Sequence, residues 1–319
     1  MDMPQPLADR PIDRQTISAA ATRIAGDIRR TPLWKLPGAA LGLPVAEVWL
    51  KLEQLQVGGS FKARGMFNRM RCQPLPAAGV VVASGGNAGI AVAHAARALG
   101  VRCEVFLPEV SSPAKRATLA ALGAAVSVQG AVYDQAFAAC LARQRETGAL
   151  LMHAYDQAEV VEGAGTLAAE IEDQGGLPDR VLVSVGGGGL VAGVAAWFEG
   201  RTRVEALEPV LAPTLHAARE QGRPVDVDVS GIAADALGAR RIGAIAWQIT
   251  QRHLAASHLI ADDAIRSAQL RIWRELRLAV EPAAALGLAA LWSGSVRPAA
   301  DERIALVLCG ANLDPATLN

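Results

Sequence analysis

The segment RVLVSVGGGGLVAG, Arg180 to Gly193, places a short apolar run before four consecutive glycines and then a helical pattern. A brief apolar run bounded by glycine reads as a buried strand. Glycine has no side chain, so backbone N–H groups in such a turn can converge on an anion. The N-terminus of the following helix adds a dipole that favours negative charge. A tight turn is the plain alternative, but four glycines in a row cost more chain entropy than a turn requires. The reading is an anion site, with phosphate as the natural occupant, at Gly186, Gly187, Gly188 and Gly189.

The same alternation of strand and helix extends in both directions. Upstream, GVVVAS at 79–84 reads as a strand and 87–99 as a helix, with Asn87 able to cap its start and Gly100 its end. Strands at 103–107, 125–128 and 149–152 alternate with helices from Ser112-Pro113 to Gly123 and at 131–146. Downstream, the pattern predicts helices at 158–173, 190–199, 213–220, 241–252, 262–278 and 283–292. Strands fall at 180–185, 203–207 and 303–308, and 222–231 is loop. A further strand is expected at 46–52. Such alternation predicts an α/β fold with open, twisted, mostly parallel sheets flanked by helices. The expected organisation is a discontinuous large domain, 1–73 with 153–319, and a small α/β domain, 74–152.

The 319 residues carry 31 cations and 31 anions, so the net charge is zero and no long-range field draws a polyanion. Aromatics are only 4%, which does not suit a stacking channel for single strands. No nucleic-acid partner is expected. No apolar stretch reaches 18 residues, and the N-terminus lacks a basic region followed by an apolar run. Cys72, Cys103, Cys140 and Cys309 are scattered without a CxxC pair, which reads as reduced thiols in a cytoplasmic protein. Only Lys35, Lys51, Lys62 and Lys115 could supply a side-chain amine for chemistry, because arginine does not deprotonate.

Lys62 lies in LKLEQLQVGGSFKARG, Leu50 to Gly65, between a glycine turn and a predicted helix. A desolvated lysine can lose its proton near neutrality and form a Schiff base; a solvated surface lysine is the competing reading. Ser84, Gly85, Gly86 and Asn87 form a second strand–glycine–helix junction, either a carboxylate site or an ordinary helix start. Cys309 ends the last strand in Leu308-Cys309-Gly310-Ala311-Asn312, where open α/β sheets bind ligands, although a buried structural cysteine would look the same. Gly187, Gly189 and Ala192 also fit G-x-G-x-x-A, with Glu208 about twenty residues on, so a nicotinamide-dependent oxidoreductase is a rival reading.

Taken in order, the Lys62 segment, the Ser84–Asn87 loop, the Gly186–Gly189 loop, Ile232 to Asp235, Val280 to Ala283 and the terminal LCGAN resemble the serine/threonine dehydratase family. That resemblance implies fold type II of the pyridoxal-phosphate enzymes, with the cofactor between two α/β domains. It implies that Lys62 carries pyridoxal 5'-phosphate and that Gly186 to Gly189, with the Leu190 amide, hold its phosphate. Asn87 would bond the ring hydroxyl, Phe61 would pack near the ring, Glu281 would sit close to it, and Cys309 would face the pyridine nitrogen. Ser84, Gly85, Gly86 and Asn87 would receive the carboxylate of a small amino-acid substrate, with Asp235 near its side chain. Homodimerisation is implied by the same resemblance.

The implied reaction is α,β-elimination from a β-hydroxy amino acid, giving a 2-oxo acid and ammonia. A neutral Cys309 thiol supports protonation of the pyridine nitrogen less than a carboxylate would, which favours expulsion of a β-leaving group. Gly85 stands where related serine racemases have a second serine, which argues against efficient racemisation. Ala88 and Ala236 replace the His and Gly of many relatives. Thr214 stands where a second acidic cation ligand would be expected beside Glu208, so no metal is expected. No regulatory domain is expected after LCGAN. A non-catalytic ligand-binding protein on the same fold is the third reading.

Overall fold

A computed structural model describes residues 11–318. Its strands are β1 (Leu33–Pro37), β2 (Glu47–Lys51), β3 (Val80–Ala83), β4 (Cys103–Leu107), β5 (Ala125–Val128), β6 (Leu150–Met152), β7 (Arg180–Ser184), β8 (Arg203–Pro209), β9 (Leu254–Ile260) and β10 (Arg303–Val307). They build a six-stranded sheet, β1-β2-β10-β7-β8-β9, and a four-stranded sheet, β5-β4-β3-β6. Every pairing is parallel except β1 with β2. The α/β class with mostly parallel sheets is therefore the observed fold.

Parallel sheets are covered by helices on both faces, so their inner strands read as continuous apolar runs. That is why VVVA in β3 and RVLVS in β7 are buried throughout. In the four-stranded sheet Val80, Val82, Val105 and Leu107 pack with Ala91, Val92 and Ala95 of the Asn87–Ala98 helix. Val81 and Phe106 face the opposite way, toward Ala136 and Cys140. The Lys62–Arg71 helix buries Ala63, Met66, Phe67 and Met70 in the first of these clusters. It also crosses the Ala158–Gly175 helix closely: a Cβ on Gly163 would lie 2.7 Å from the Gly65 Cα.

Two strands escape the sequence pattern. β1 is an antiparallel edge strand with much of its surface exposed, so its alternation is weak. β9 follows directly on the Ala244–His253 helix, with no glycine or proline to mark the change. The helix expected over 262–278 stops at Arg271 and continues as a π turn, Ile272–Leu276, ending at Arg277 with φ +57°. Asn87 does not cap its helix. It is the first helical residue, Gly86 takes the cap position, and the Asn87 side chain turns into the cleft instead.

A buried charge cluster fixes the segment that carries Lys62. Arg64, fully buried, makes a two-pronged ion pair with Glu53, both bonds at 2.7 Å, and reaches Glu170 at 2.7 and 2.9 Å. Lys51, on β2, closes the ring through Glu170 at 2.5 Å and the Thr31 carbonyl at 2.8 Å. Burial pushes the Glu53 carboxyl up, yet the adjoining Arg64 guanidinium holds it below its ordinary range. Removing one partner of a buried ion pair leaves the other uncompensated, at a cost of about 3–5 kcal/mol. Arg64→Met should lose about that much in urea unfolding. A loss under about 1 kcal/mol, the size of a surface pair, would show that the cluster does not anchor this segment.

Candidate active site

Three loops at the carboxyl ends of β3, β7 and β10 converge on the Lys62 segment, the position at which open α/β sheets bind ligands. Together they bound a common cleft. Phe61, Lys62, Asn87, Gly186, Gly187, Gly188, Gly189, Leu190, Glu281 and Cys309 all line it.

The Lys62 segment is stitched to the loop after β10. Phe61 N donates to the Cys309 carbonyl at 3.0 Å, Ser60 bridges Gly310, and Ala311 N donates to the Gly59 carbonyl at 2.9 Å. Lys62 Nζ points into the cleft, donates to the Ala154 carbonyl at 2.8 Å, and lies 4.9 Å from the Phe61 ring centre. No carboxylate forms an ion pair with it among the described residues. Burial of the amine lowers it to about 8, against smaller opposing effects of Cys309 and Glu281. The other lysines are committed elsewhere. Lys51 is in the buried cluster, Lys35 lies over the Trp49 ring at 4.2 Å, and Lys115 pairs with Asp235.

The four-glycine loop leads into the Gly189–Phe198 helix. Gly188 sits at φ +90°, a conformation that disfavours a side chain. At Gly187 a Cβ would fall 2.3 Å from the Tyr155 ring, so only glycine fits there. The amides of Gly187 to Leu190 are buried and find no acceptor among the described residues. Orphaned buried donors are costly, and four at one helix start are the donor set a phosphate satisfies. With an enclosed, unpaired lysine across the cleft, these residues fit pyridoxal phosphate.

Asn87 Nδ2 donates to both Glu281 oxygens, at 2.8 and 2.9 Å. Burial raises the Glu281 carboxyl to about 7, with the Asn87 bond opposing. Cys309 is fully enclosed, and burial, reinforced by Glu281, pushes its thiol well above its ordinary range. Ser84, Gly85 and Gly86 are half-buried at the start of the Asn87–Ala98 helix. Asp235, on the short Ala234–Leu237 helix, pairs with Lys115 of the Pro113–Ala121 helix. That places an ion pair beside the Gly85-Gly86 loop: a Cβ on Gly85 would lie 3.8 Å from Lys115 Cδ, and one on Gly86 3.4 Å from the Asp235 carbonyl.

Glu208 is not available to a ribose. It is fully buried and accepts from the Leu215 and His216 amides at 2.7 and 2.8 Å, capping the Thr214–Gln221 helix. Thr214 ties that helix start to the Gly186 carbonyl at 2.7 Å. The nicotinamide reading thus loses its acidic residue. Sequence reasoning missed Tyr155, whose ring packs under Gly187, and Ala154, whose carbonyl holds Lys62. Their position just past β6, another strand end, was the available signal. His153 shapes this turn: buried, held neutral with its imidazole lowered to about 4, it accepts from the Asp156 amide at 3.0 Å.

Residues 24–310 match the family described as pyridoxal-phosphate dependent enzymes. The chain belongs to that family. It is 34% identical over 312 residues to the L-threonine ammonia-lyase of Geobacter sulfurreducens, covering 95% of this chain and 76% of that one. It is 33% identical over 316 residues to the phenylserine dehydratase of Ralstonia pickettii, covering 96% and 94% respectively. Among solved structures, maize serine racemase superposes with a TM-score of 0.90 at 28% identity, over 97% of this chain and 96% of that one. The fold is that of the fold type II pyridoxal-phosphate enzymes, and the cofactor is pyridoxal phosphate.

The Lys62 amine has a measurable signature. It titrates near 8 in the folded chain and at an ordinary 10.5 once exposed. Between those values the unfolded chain still binds a proton that the folded chain has released. Stability of the cofactor-free protein therefore rises with pH across that window, and the full penalty applies below about 8. Lys62→Met removes the penalty. Cofactor-free Lys62→Met should be the more stable protein at pH 7, with the gap in urea midpoint closing as pH approaches 10.5. A gap that stays constant over this range would show that the amine is not shifted.

Proposed function

We propose that this chain is a pyridoxal-phosphate-dependent ammonia-lyase, or dehydratase, acting on a β-hydroxy amino acid. Water leaves across Cα–Cβ, and the released enamine takes up water to give a 2-oxo acid and ammonium. The observation that carries the reading is one cleft holding an enclosed amine without a counter-ion, Lys62, and a neutral thiol, Cys309. Both named relatives, a threonine ammonia-lyase and a phenylserine dehydratase, point to substrates with a β-hydroxyl.

Bound pyridoxal phosphate supplies the electron sink for the carbanion. The chain supplies binding and proton handling. Gly187 to Leu190 present orphaned amides to the phosphate. Lys62 anchors the cofactor and, as a free amine of lowered pKa, takes the proton from the substrate Cα. The Ser84–Asn87 loop receives the substrate carboxylate at the start of a helix. Asn87, lining the cleft, would hold the ring hydroxyl. Cys309, whose thiol burial keeps protonated at neutral pH, would offer the pyridine nitrogen an uncharged partner. Such a partner would support protonation of that nitrogen less than a carboxylate does, which favours loss of a β-leaving group. Gly85 supplies no side-chain acid at the position where related serine racemases carry a second serine, which supports elimination over racemisation despite the likeness to a racemase. Asp235, paired with Lys115 beside the Gly85-Gly86 loop, would approach the substrate side chain. A homodimer in the cytoplasm is included in this proposal. No helix among the described residues is long and apolar enough to cross a membrane.

Threonine, serine and phenylserine, each supplied to the holoenzyme, should yield 2-oxo acid and ammonia in equal amounts for at least one of them. Lys62→Ala should cut that rate on the order of 10³-fold or more. Chiral analysis of residual substrate should show little antipode. Cofactor-loaded protein that releases no 2-oxo acid from any hydroxyamino acid would favour the binding-protein reading. Antipode forming faster than 2-oxo acid would make the chain a racemase.

A further inference from the structure

We propose that Asn312 is a positioning residue that locks the Asn87 side-chain amide in a single orientation. The proposal rests on reading Asn87 as the partner of the cofactor's ring hydroxyl. Asn312 closes the loop after β10, and its Nδ2 donates to the Asn87 Oδ1 at 2.6 Å and to the Gly58 carbonyl at 2.8 Å. Both of its amide hydrogens are thereby used, each on a different segment. Asn87 in turn directs Nδ2 at the two Glu281 oxygens.

The amide of asparagine has nearly isosteric ends, one donor and one acceptor. Rotating Asn87 by half a turn would set its oxygen against the Glu281 carboxylate and its amide nitrogen against the Asn312 donor. Both contacts would then be repulsive. Glu281 favours the observed orientation from one side by accepting. Asn312 favours it from the other by donating, and a buried Oδ1 without that donor would be left unsatisfied. The Asn312 side chain has little room to turn. A Cβ on Gly59 would fall 2.7 Å from its Oδ1, and the Ala311–Gly59 and Ser60–Gly310 contacts pin the backbone on either side. One side chain thus joins the lysine segment, the loop after β10 and the first residue of the Asn87–Ala98 helix.

The test compares Asn312→Asp, Asn312→Ala, Asn87→Ala and the Asn87→Ala/Asn312→Ala double variant as holoenzymes at pH 8. Asn312→Asp keeps the size but replaces the donor, so it carries the test should Asn312→Ala fail to fold. The expected result is a fall in kcat of about tenfold, the net worth of one hydrogen bond, with KM little changed. A displaced visible absorbance maximum of the bound cofactor should accompany it, which loss of stability alone would not produce. The double variant should match Asn87→Ala, because Asn312 acts through that residue. A folded Asn312→Asp with unaltered kcat and spectrum overturns the inference, as does a double variant whose loss equals the product of the two single losses. An Asn87→Ala protein with unaltered kcat and spectrum would instead overturn the underlying reading of Asn87.

Discussion

The enclosed guanidinium of Arg64 is the constraint from which the site is built. A full charge with no exposed surface is tolerable only if its donors are met, and Glu53, Glu170 and Thr166 meet them. Glu53 lies just past β2 and Glu170 on the Ala158–Gly175 helix, so satisfying Arg64 fixes the lysine-bearing helix against both. Lys62, two residues earlier, is consequently held in the cleft. The ion cluster also explains why that segment reads LKLE and KAR: Lys51, Glu53 and Arg64 belong to one charge network, and Lys62 belongs to another environment altogether.

That contrast separates structural from chemical lysines. Lys51 and Lys62 are both enclosed and both lowered by burial. Lys51 is compensated by Glu170 and serves the scaffold. Lys62 has, among the described residues, a backbone carbonyl as its hydrogen-bond partner and no carboxylate, so its charge is poorly supported and its amine is poised to lose a proton. Around it, the Glu281 carboxyl and the Cys309 thiol are both raised. Enclosure in the cleft thus moves base and acids toward their neutral forms, which is the state elimination chemistry uses.

Much of the architecture was legible locally. Parallel strands buried on both faces leave uninterrupted apolar runs, so β3, β4, β7 and β10 were found within a residue or two. The glycine loops were legible because Gly187 and Gly188 are forced, one by the Tyr155 ring and one by a positive φ. Less was legible where tertiary packing alone assigns a role. β9 has no boundary residues, and Asn87 carries the chemistry of a helix cap yet is drawn into the cleft by Glu281, 194 positions away. Tyr155, Ala154 and Asn312 act through a ring face, a carbonyl and an amide direction, none of which has a residue signature.

The sequence by itself determined the two series of strand and helix, the glycine loops at their junctions, and a shortlist of four amines. Those are local matters of periodicity, backbone freedom and side-chain type. Only the tertiary structure decided which lysine is enclosed without a counter-ion among the described residues, that Glu208 caps a helix instead of facing a ligand, and that Asn312, Asn87 and Glu281 form one line of hydrogen bonds. Desolvation and hydrogen-bond direction depend on what is brought close in space, and residues far apart in sequence supply it.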